Sequence, residues 1–417
     1  MICKSNQESS TPLHKSGLSW RLFWTSCRIY CRLWKVSFFP PEPYPAPGIR
    51  RCLILLAFLP LFGVFQLIHW FFLVLDRIFF PEFMNINVEK PLFILGVPRS
   101  GTTHLHRVMS MDTGRFTVFK LWQVLFAPAI CQRKIVKFAG KLDRLAGRPC
   151  KRFLDFTAGV LTRDLKDIHH LSLDQPEEDF ILLMPVMACF ILIPAFPQVR
   201  EIYDLAFFDQ RFSRQQRMDI MNFYKSMLKR HLYCEGRHAT LLSKNVSFTP
   251  MLSSLEETFP DAGIVACVRN PTKTLASQAS SMEKSWKMFG NSTESMLFTQ
   301  LWKELMDHYY QVLAEAVSES GHARLQCVDM SALTADLSGT VLRIYEKLDM
   351  IPDESFVKAL KSEHDKASSY SSRHSYDLTE YGFDPEDIQQ TTCLLWKTIK
   401  DSPVCLSRDV RKGHDVL

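Results

Sequence analysis

The chain has no Cys-x-x-Cys pair, and none of its twelve cysteines stands at a Cys/His spacing that suits zinc. A structural zinc site is therefore not expected, and most of these thiols read as small buried hydrophobes. Pairing of a few in an oxidising compartment is left open. Acidic residues are scarce at one end. Residues 1–51 hold only Glu8 and Glu42 against eight Lys and Arg, which accounts for the whole net charge of +6. The remainder is neutral overall, and this argues against nucleic acid as a partner. No cleavable signal peptide is expected either, because the long apolar run starts deep in the chain and no small-residue cleavage site follows it. No internal repeat is evident. A length of 417 residues fits two domains, or one larger α/β domain with extensions.

Aromatics, by contrast, are in surplus, with 31 Phe in a composition that suits a folded chain. Residues 18–39 interleave Trp20, Phe23, Trp24 and Trp34 with Arg21, Arg28, Arg32 and Lys35, a mixture suited to a membrane surface. A proline-rich break covers 40–47. Residues 52–75 then run for 24 positions without a formal charge if His69 is neutral, long enough to span a bilayer. Pro60, Gly63, Gln66 and His69 interrupt that run. They fit a kinked span, two shorter interfacial pieces, or an amphipathic helix covering a soluble domain. For a span, Arg50 and Arg51 on its N-terminal side place residues 1–51 in the cytosol and the rest of the chain opposite. Asn245-Val246-Ser247 and Asn291-Ser292-Thr293 are glycosylation sequons, triplets that also arise by chance.

Two stretches carry chemistry. In the first, an apolar strand at 92–97 meets Pro98-Arg99-Ser100-Gly101-Thr102-Thr103 and passes into a helix at 104–109. A strand that turns on Gly into a helix presents unpaired N–H groups and the positive end of the helix dipole, a natural seat for phosphate or sulfate. Arg99 adds a forked cation, while Ser100, Thr102 and Thr103 add hydroxyls. The spacing is close to a nucleotide-triphosphate P-loop, but the lysine expected after the second Gly is missing. In the second stretch, a buried strand at 264–268 runs into Arg269-Asn270-Pro271 and a helix that carries Ser277, eight residues after Arg269. An NTPase would have a magnesium-binding Asp at the end of that strand. Arg269 stands there instead.

On these two motifs, in this order, the chain resembles the sulfotransferase superfamily, whose donor is 3′-phosphoadenosine 5′-phosphosulfate (PAPS). The resemblance covers about 92–383. It implies that Pro98, Arg99, Ser100, Gly101, Thr102 and Thr103 form the loop for the 5′-phosphosulfate, and that Arg269 and Ser277 clasp the 3′-phosphate. Lys244 ends a short strand at 240–245, ahead of Phe259-Pro260-Asp261-Ala262, as in the subgroup that this chain looks most like; a contact with the sulfonate or bridging oxygen is implied. The subgroup's Trp-Glu pair is Trp122-Gln123 here, and a neutral amide cannot take a proton at pH 7. The segment His169-His170…Pro176-Glu177-Glu178-Asp179 is similar to a subgroup pattern that makes His170, Glu177 or Glu178 the base for the acceptor hydroxyl. It also reads as a helix start, with Pro in the first turn and acids at the positive end of the dipole. Residues 372–383 resemble a late segment that closes over the nucleotide, which makes His374 and Tyr376 donor contacts or parts of a surface turn. Arg411-Lys412-Gly413 is a chance echo of a nucleotide-binding element.

The expectations are these. The fold is a three-layer α/β/α sandwich on a parallel sheet, P-loop-kinase-like, at 88–400. It follows a basic segment at 1–51 and a membrane-embedded or interfacial helix at 52–80, and a tail at 401–417 ends the chain. A sulfuryl group passes from PAPS to a hydroxyl, less readily an amine, of a glycan, lipid or small metabolite, with no metal. The partners are PAPS, the acceptor and, through residues 18–80, membrane lipid; a homo-oligomer is left open. A type II protein with a lumenal Golgi domain is implied in a eukaryote, and a peripheral or anchored protein at the cytoplasmic face otherwise. The alternatives are a membrane-bound kinase or NTPase of the same fold, or a non-catalytic relative, for which Gln123 is the motive.

Overall fold

The structure, a computed structural model, describes residues 18–149, 152, 173–291, 296–319, 324–368 and 377–407. Six strands form one sheet: β1 (Leu92–Gly96), β2 (Phe116–Thr117), β3 (Thr240–Lys244), β4 (Gly263–Val268), β5 (Leu325–Asp329) and β6 (Cys405–Leu406). Their order is β2-β3-β1-β4-β5-β6, and every pair is parallel. β1, β4 and β5 are buried along their whole length, as their unbroken apolar runs require of strands covered on both faces. Alternate residues feed two cores. Phe93, Leu95, Ile264 and Ala266 point to one, and Leu92, Ile94, Val265 and Cys267 to the other. The three-layer expectation holds. The sequence places the end of the domain at 400, but β6 pairs Cys405 with Cys327, so the chain continues into the sheet beyond that point.

From β1 the chain first builds one wing of the sheet and then crosses to β4 on the other side of β1. The carboxyl ends of β1 and β4 therefore flank a switch point, where an α/β sheet opens a crevice. Each of these two strands delivers one of the motifs to that edge.

The N-terminal helices are part of the packed body. α1 (Trp20–Phe38) lies against α2 (Ile49–Phe79), a single continuous helix through Pro60. α2 is long and apolar enough to cross a membrane. One stripe of it, however, is committed to the domain: Leu55, Leu59, Phe62, Gln66, His69, Leu73 and Asp76 are all buried, at spacings of three or four. Gly63 makes room for Tyr30, whose hydroxyl oxygen a Cβ would approach to 2.4 Å, and the Tyr30 hydroxyl donates to the Leu59 carbonyl at 2.7 Å. The Trp70 indole donates to the Pro185 carbonyl (2.8 Å), and the Gln132 amide donates to His69 Nδ1 (3.0 Å). Gln132 lies on α5 (Ile130–Leu145), the short α4 (Leu121–Leu125) preceding it. At the far end, Asp76 accepts from the backbone N–H groups of Ile130 (2.9 Å) and Cys131 (2.8 Å) that open α5. It also accepts from Arg230 Nε at 3.0 Å, with both side chains fully buried. Arg230 belongs to α6 (Arg214–Glu235), which underlies the sheet.

Removing one partner of such a pair leaves an uncompensated charge inside the protein. Arg230→Met is expected to lower the unfolding free energy by about 3–5 kcal/mol, read by urea denaturation followed by circular dichroism. A loss under about 1 kcal/mol, the range of an exposed ion pair, would show that α2 is not held this way.

Candidate active site

The loop after β1 is shaped by its backbone. Gly96 has φ +131°, and a Cβ there would come within 2.0 Å of the Cys267 carbonyl oxygen on β4. Only glycine fits. The Val97 N–H donates to that same carbonyl at 3.0 Å. Thr249 closes the other side, its hydroxyl accepting from the Gly96 N–H (3.0 Å) and donating to the Gly96 carbonyl (2.7 Å). Arg99 then takes a left-handed conformation at φ +63°, and Gly101 does so at +91°, at the N-cap of α3 (Thr102–Met109). A non-glycine residue held left-handed is strained and turns its side chain out of the ordinary path. No side chain caps α3, so the amides at its start are not taken up by the protein's own caps. Ser100 differs from expectation. Its buried hydroxyl donates to the Val97 carbonyl at 2.6 Å and braces the loop from within, leaving Thr102 and Thr103 as the loop's remaining hydroxyls.

β4 brings the second cation. Arg269 follows it directly, and its Nη1 donates to the Arg99 carbonyl at 3.2 Å. The helix α8 (Pro271–Met288) starts with Pro271 at its first position and Asn270 as its cap, the Asn270 side chain accepting from the Thr272 N–H at 3.0 Å. Ser277 is buried two turns in, and its Oγ accepts from Arg99 Nε at 3.0 Å. The two motifs thus converge on one spot. Among the described residues, neither Arg99 nor Arg269 has a carboxylate partner in an ion pair. Burial, and secondly the Arg99 charge, pull the Arg269 guanidinium below the usual arginine range. Two neighbouring guanidiniums without a counter-ion are costly in the free protein, and a polyanion relieves that cost.

β3 delivers the third cation. Lys244 is paired in register with Ile94 of β1 and is 3% exposed. Its Nζ donates to Thr103 Oγ1 at 3.3 Å and lies 2.8 Å from Glu178 and 4.0 Å from Glu177. The acidic run is divided between two tasks. Glu177 and Glu178 face Lys244 at the loop, whereas Asp179 turns inward as the first residue of a 3₁₀ turn, Asp179–Val186. Pro176 does not open that turn; it forms a bridge with Lys120.

Asp179 is the residue that sequence reasoning passed over. Its fully buried carboxylate accepts from Tyr224 (2.9 Å), Ser243 (2.9 Å) and Asn245, tying the acidic segment to β3 next to Lys244. Burial pushes it up to about 6 despite those hydrogen bonds. Asn245 is likewise spent within the fold, its amide buried and its carbonyl accepting from the Phe180 N–H at 2.8 Å. A glycan on this sequon would break that network. Gln123 is buried and caps α4, accepting from the Lys120 N–H at 2.9 Å and donating to Glu235 at 3.1 Å. His169, His170, His374 and Tyr376 lie outside the described residues. Among the described residues no cluster of His, Cys, Asp or Glu suits a metal.

The profile of the sulfotransferase family matches residues 91–354, nearly two thirds of the chain and both motifs. The chain belongs to that family. The fold agrees with two solved sulfotransferases. STF1 of Mycobacterium tuberculosis H37Rv is 19% identical with a TM-score of 0.62, covering 92% of this chain and 99% of its own. STF9 of Mycobacterium avium is 16% identical with a TM-score of 0.64, covering 93% and 97%. Comparison with curated proteins gives no match. Cover of that extent reaches into residues 1–80, since the rest of the chain is too short to supply it. The helical layer of this sulfotransferase is thus part of the shared fold.

The Asp179 network has a pH signature. Its carboxyl ionises at a higher pH when folded than its ordinary 3.8, so ionisation costs folding energy that is absent below about 4 and fully present above about 6. The parent should therefore gain thermal stability relative to Asp179→Asn as pH falls from about 7 to about 4. A difference in melting temperature that stays constant over that range would contradict the burial of the Asp179 carboxyl as the cause of its raised ionisation.

Proposed function

We propose that this sulfotransferase takes PAPS as donor and moves its sulfuryl group to an acceptor hydroxyl. The observation that carries the reading is the convergence of Arg99, Arg269 and Ser277 from two separate motifs, with neither guanidinium in an ion pair among the described residues. Forked cations and a hydroxyl suit a phosphate dianion. Arg269 and Ser277 would hold the 3′-phosphate. Arg99, the amides at Gly101–Thr103, and Lys244 would surround the 5′-phosphosulfate. Pro98 directs the chain into the turn.

In the transfer, the acceptor oxygen forms a bond to sulfur while the bond from sulfur to the 5′-phosphate oxygen breaks. 3′-Phosphoadenosine 5′-phosphate leaves with the negative charge that Lys244 and Arg99 stabilise. The acceptor proton passes to a carboxylate, and Glu178 is the better placed, 2.8 Å from Lys244 against 4.0 Å for Glu177. His170 is the remaining candidate for this role. The acceptor is a hydroxyl of a glycan, lipid or small metabolite, with an amine second. Gln123 offers no support for a non-catalytic relative, because its amide is taken up within the fold, its oxygen capping α4 and its N–H donating to Glu235. Arg269 at the end of β4 weighs against a magnesium-dependent NTPase. Membrane lipid is the expected partner of residues 18–80, through a type II span with a lumenal Golgi domain or through attachment at one face. The commitment of Asp76, His69 and Trp70 to the domain favours attachment.

Arg269→Ala should raise the KM for PAPS by roughly ten- to hundredfold, with a much smaller effect on a donor analogue that lacks the 3′-phosphate. Equal losses with both donors would remove Arg269 from the 3′-phosphate. Labelled sulfate from PAPS, offered to glycan, lipid and small-molecule extracts, identifies the acceptor for this assay. With that acceptor, Glu178→Gln should cut kcat by about 10²–10⁴ at unchanged KM for PAPS, and Glu177→Gln by far less. Full kcat in both variants would pass the base role to His170.

A further inference from the structure

The exposed apolar residues of this protein are concentrated on one surface. Of the 26 large hydrophobic side chains exposed among the described residues, 19 lie on α1, α2 and α5 or at their immediate ends. On α2 they occupy the side opposite the buried stripe, with Leu61 72%, Phe71 59% and Ile78 64% exposed. α5 continues the surface with Phe138 at 62% and Leu142 at 51%, and α1 adds Trp20 and Trp24 at 68% and 62%. The three helices are contiguous. Phe23 of α1 packs on Trp70 (5.1 Å between ring centroids), and α5 opens on Asp76. A patch of this extent on a protein surface marks an interaction site.

Charge selects the occupant. The three helices together carry twelve Lys and Arg against Asp76 and Asp143; Arg51 and Arg133 are buried, and Arg21, Arg32 and Lys137 pair with Asp219, Glu201 and Glu235 of neighbouring elements. Asp76 is buried on Arg230. Lys35, Lys134, Lys141 and Arg144 are exposed beside the apolar side chains. A second copy of this chain would bring the same basic rim against itself. An anionic lipid leaflet matches both features at once, apolar side chains entering the acyl boundary and basic ones meeting headgroups, with Trp20 and Trp24 suited to the interface.

We propose that the α1–α2–α5 face seats this protein in one leaflet of an anionic membrane, with α2 lying in the membrane plane rather than crossing it. A crossing helix would have to pull Asp76, His69 and Trp70 out of the domain and leave Arg230 buried without its carboxylate. Held in the plane, α2 keeps every one of these contacts and still gives its apolar side to lipid. This inference does not depend on the identity of the donor or acceptor.

The test uses the full chain in two measurements. Flotation with phosphatidylcholine vesicles, with and without phosphatidylserine, should show binding that requires the anionic lipid and weakens with salt. The double variant Phe138→Asp/Leu142→Asp, both positions exposed, should bind at least about tenfold more weakly at an unchanged melting temperature. Epitope tags at residues 1 and 417 of the chain expressed in sealed membranes should be open to protease from the same side. Tags on opposite sides would establish a span and overturn the proposal. So would a chain that ignores both vesicles and sediments as a dimer that the double variant dissociates, since the face would then belong to a second copy.

Discussion

Everything at the site depends on how closely the end of β1 presses on β4. The Cys267 carbonyl occupies the place where any side chain at residue 96 would stand, and it accepts the next N–H of the chain. That approach fixes where the turn begins. It also fixes where Arg99 emerges, and it is why Arg269, leaving β4, can donate to the Arg99 carbonyl. The parallel register of the two strands and the absence of a Cβ at Gly96 are together the device that places two cations from distant parts of the sequence side by side.

The surrounding polar groups serve that geometry rather than the reaction. Ser100 braces the turn, Thr249 clamps both polar groups of Gly96, and Tyr310 donates to the Arg269 carbonyl. Asp179 anchors the acidic segment beside β3, so that Glu178 meets Lys244. The groups left facing the crevice carry net positive charge around an uncapped helix start, and Arg269 follows β4 where a metal-binding nucleotide site would carry an Asp.

The strand-turn-helix after β1 and the placing of Arg269 and Ser277 after β4 were legible in the sequence because each is local. A strand, a turn residue and a charged side chain stand within a few positions of one another. β1 and β4 were legible too, since burial on both faces leaves an unbroken apolar run, whereas β2 and β6, two residues each, were not. Contacts that join remote segments were not. Nothing near Gln123 shows that its amide caps α4 and reaches Glu235, and nothing near Asp179 shows Tyr224 or Asn245 waiting for it. α2 misleads for a different reason. Mean hydropathy over a window averages its two sides, whereas Gln66, His69 and Asp76 recur with helical spacing on the side that the domain covers. Two of the interruptions, Gly63 and His69, are contacts of a packed helix, with Tyr30 and Gln132.

The assignment of the site is tested most directly by calorimetric titration of the full chain with 3′-phosphoadenosine 5′-phosphate, ADP and ATP, each with and without magnesium. Binding of 3′-phosphoadenosine 5′-phosphate is expected without magnesium and at least about tenfold tighter than that of ADP, which lacks the 3′-phosphate proposed to sit on Arg269 and Ser277. Equal affinity for the two, or binding of ATP alone and only with magnesium, would contradict it.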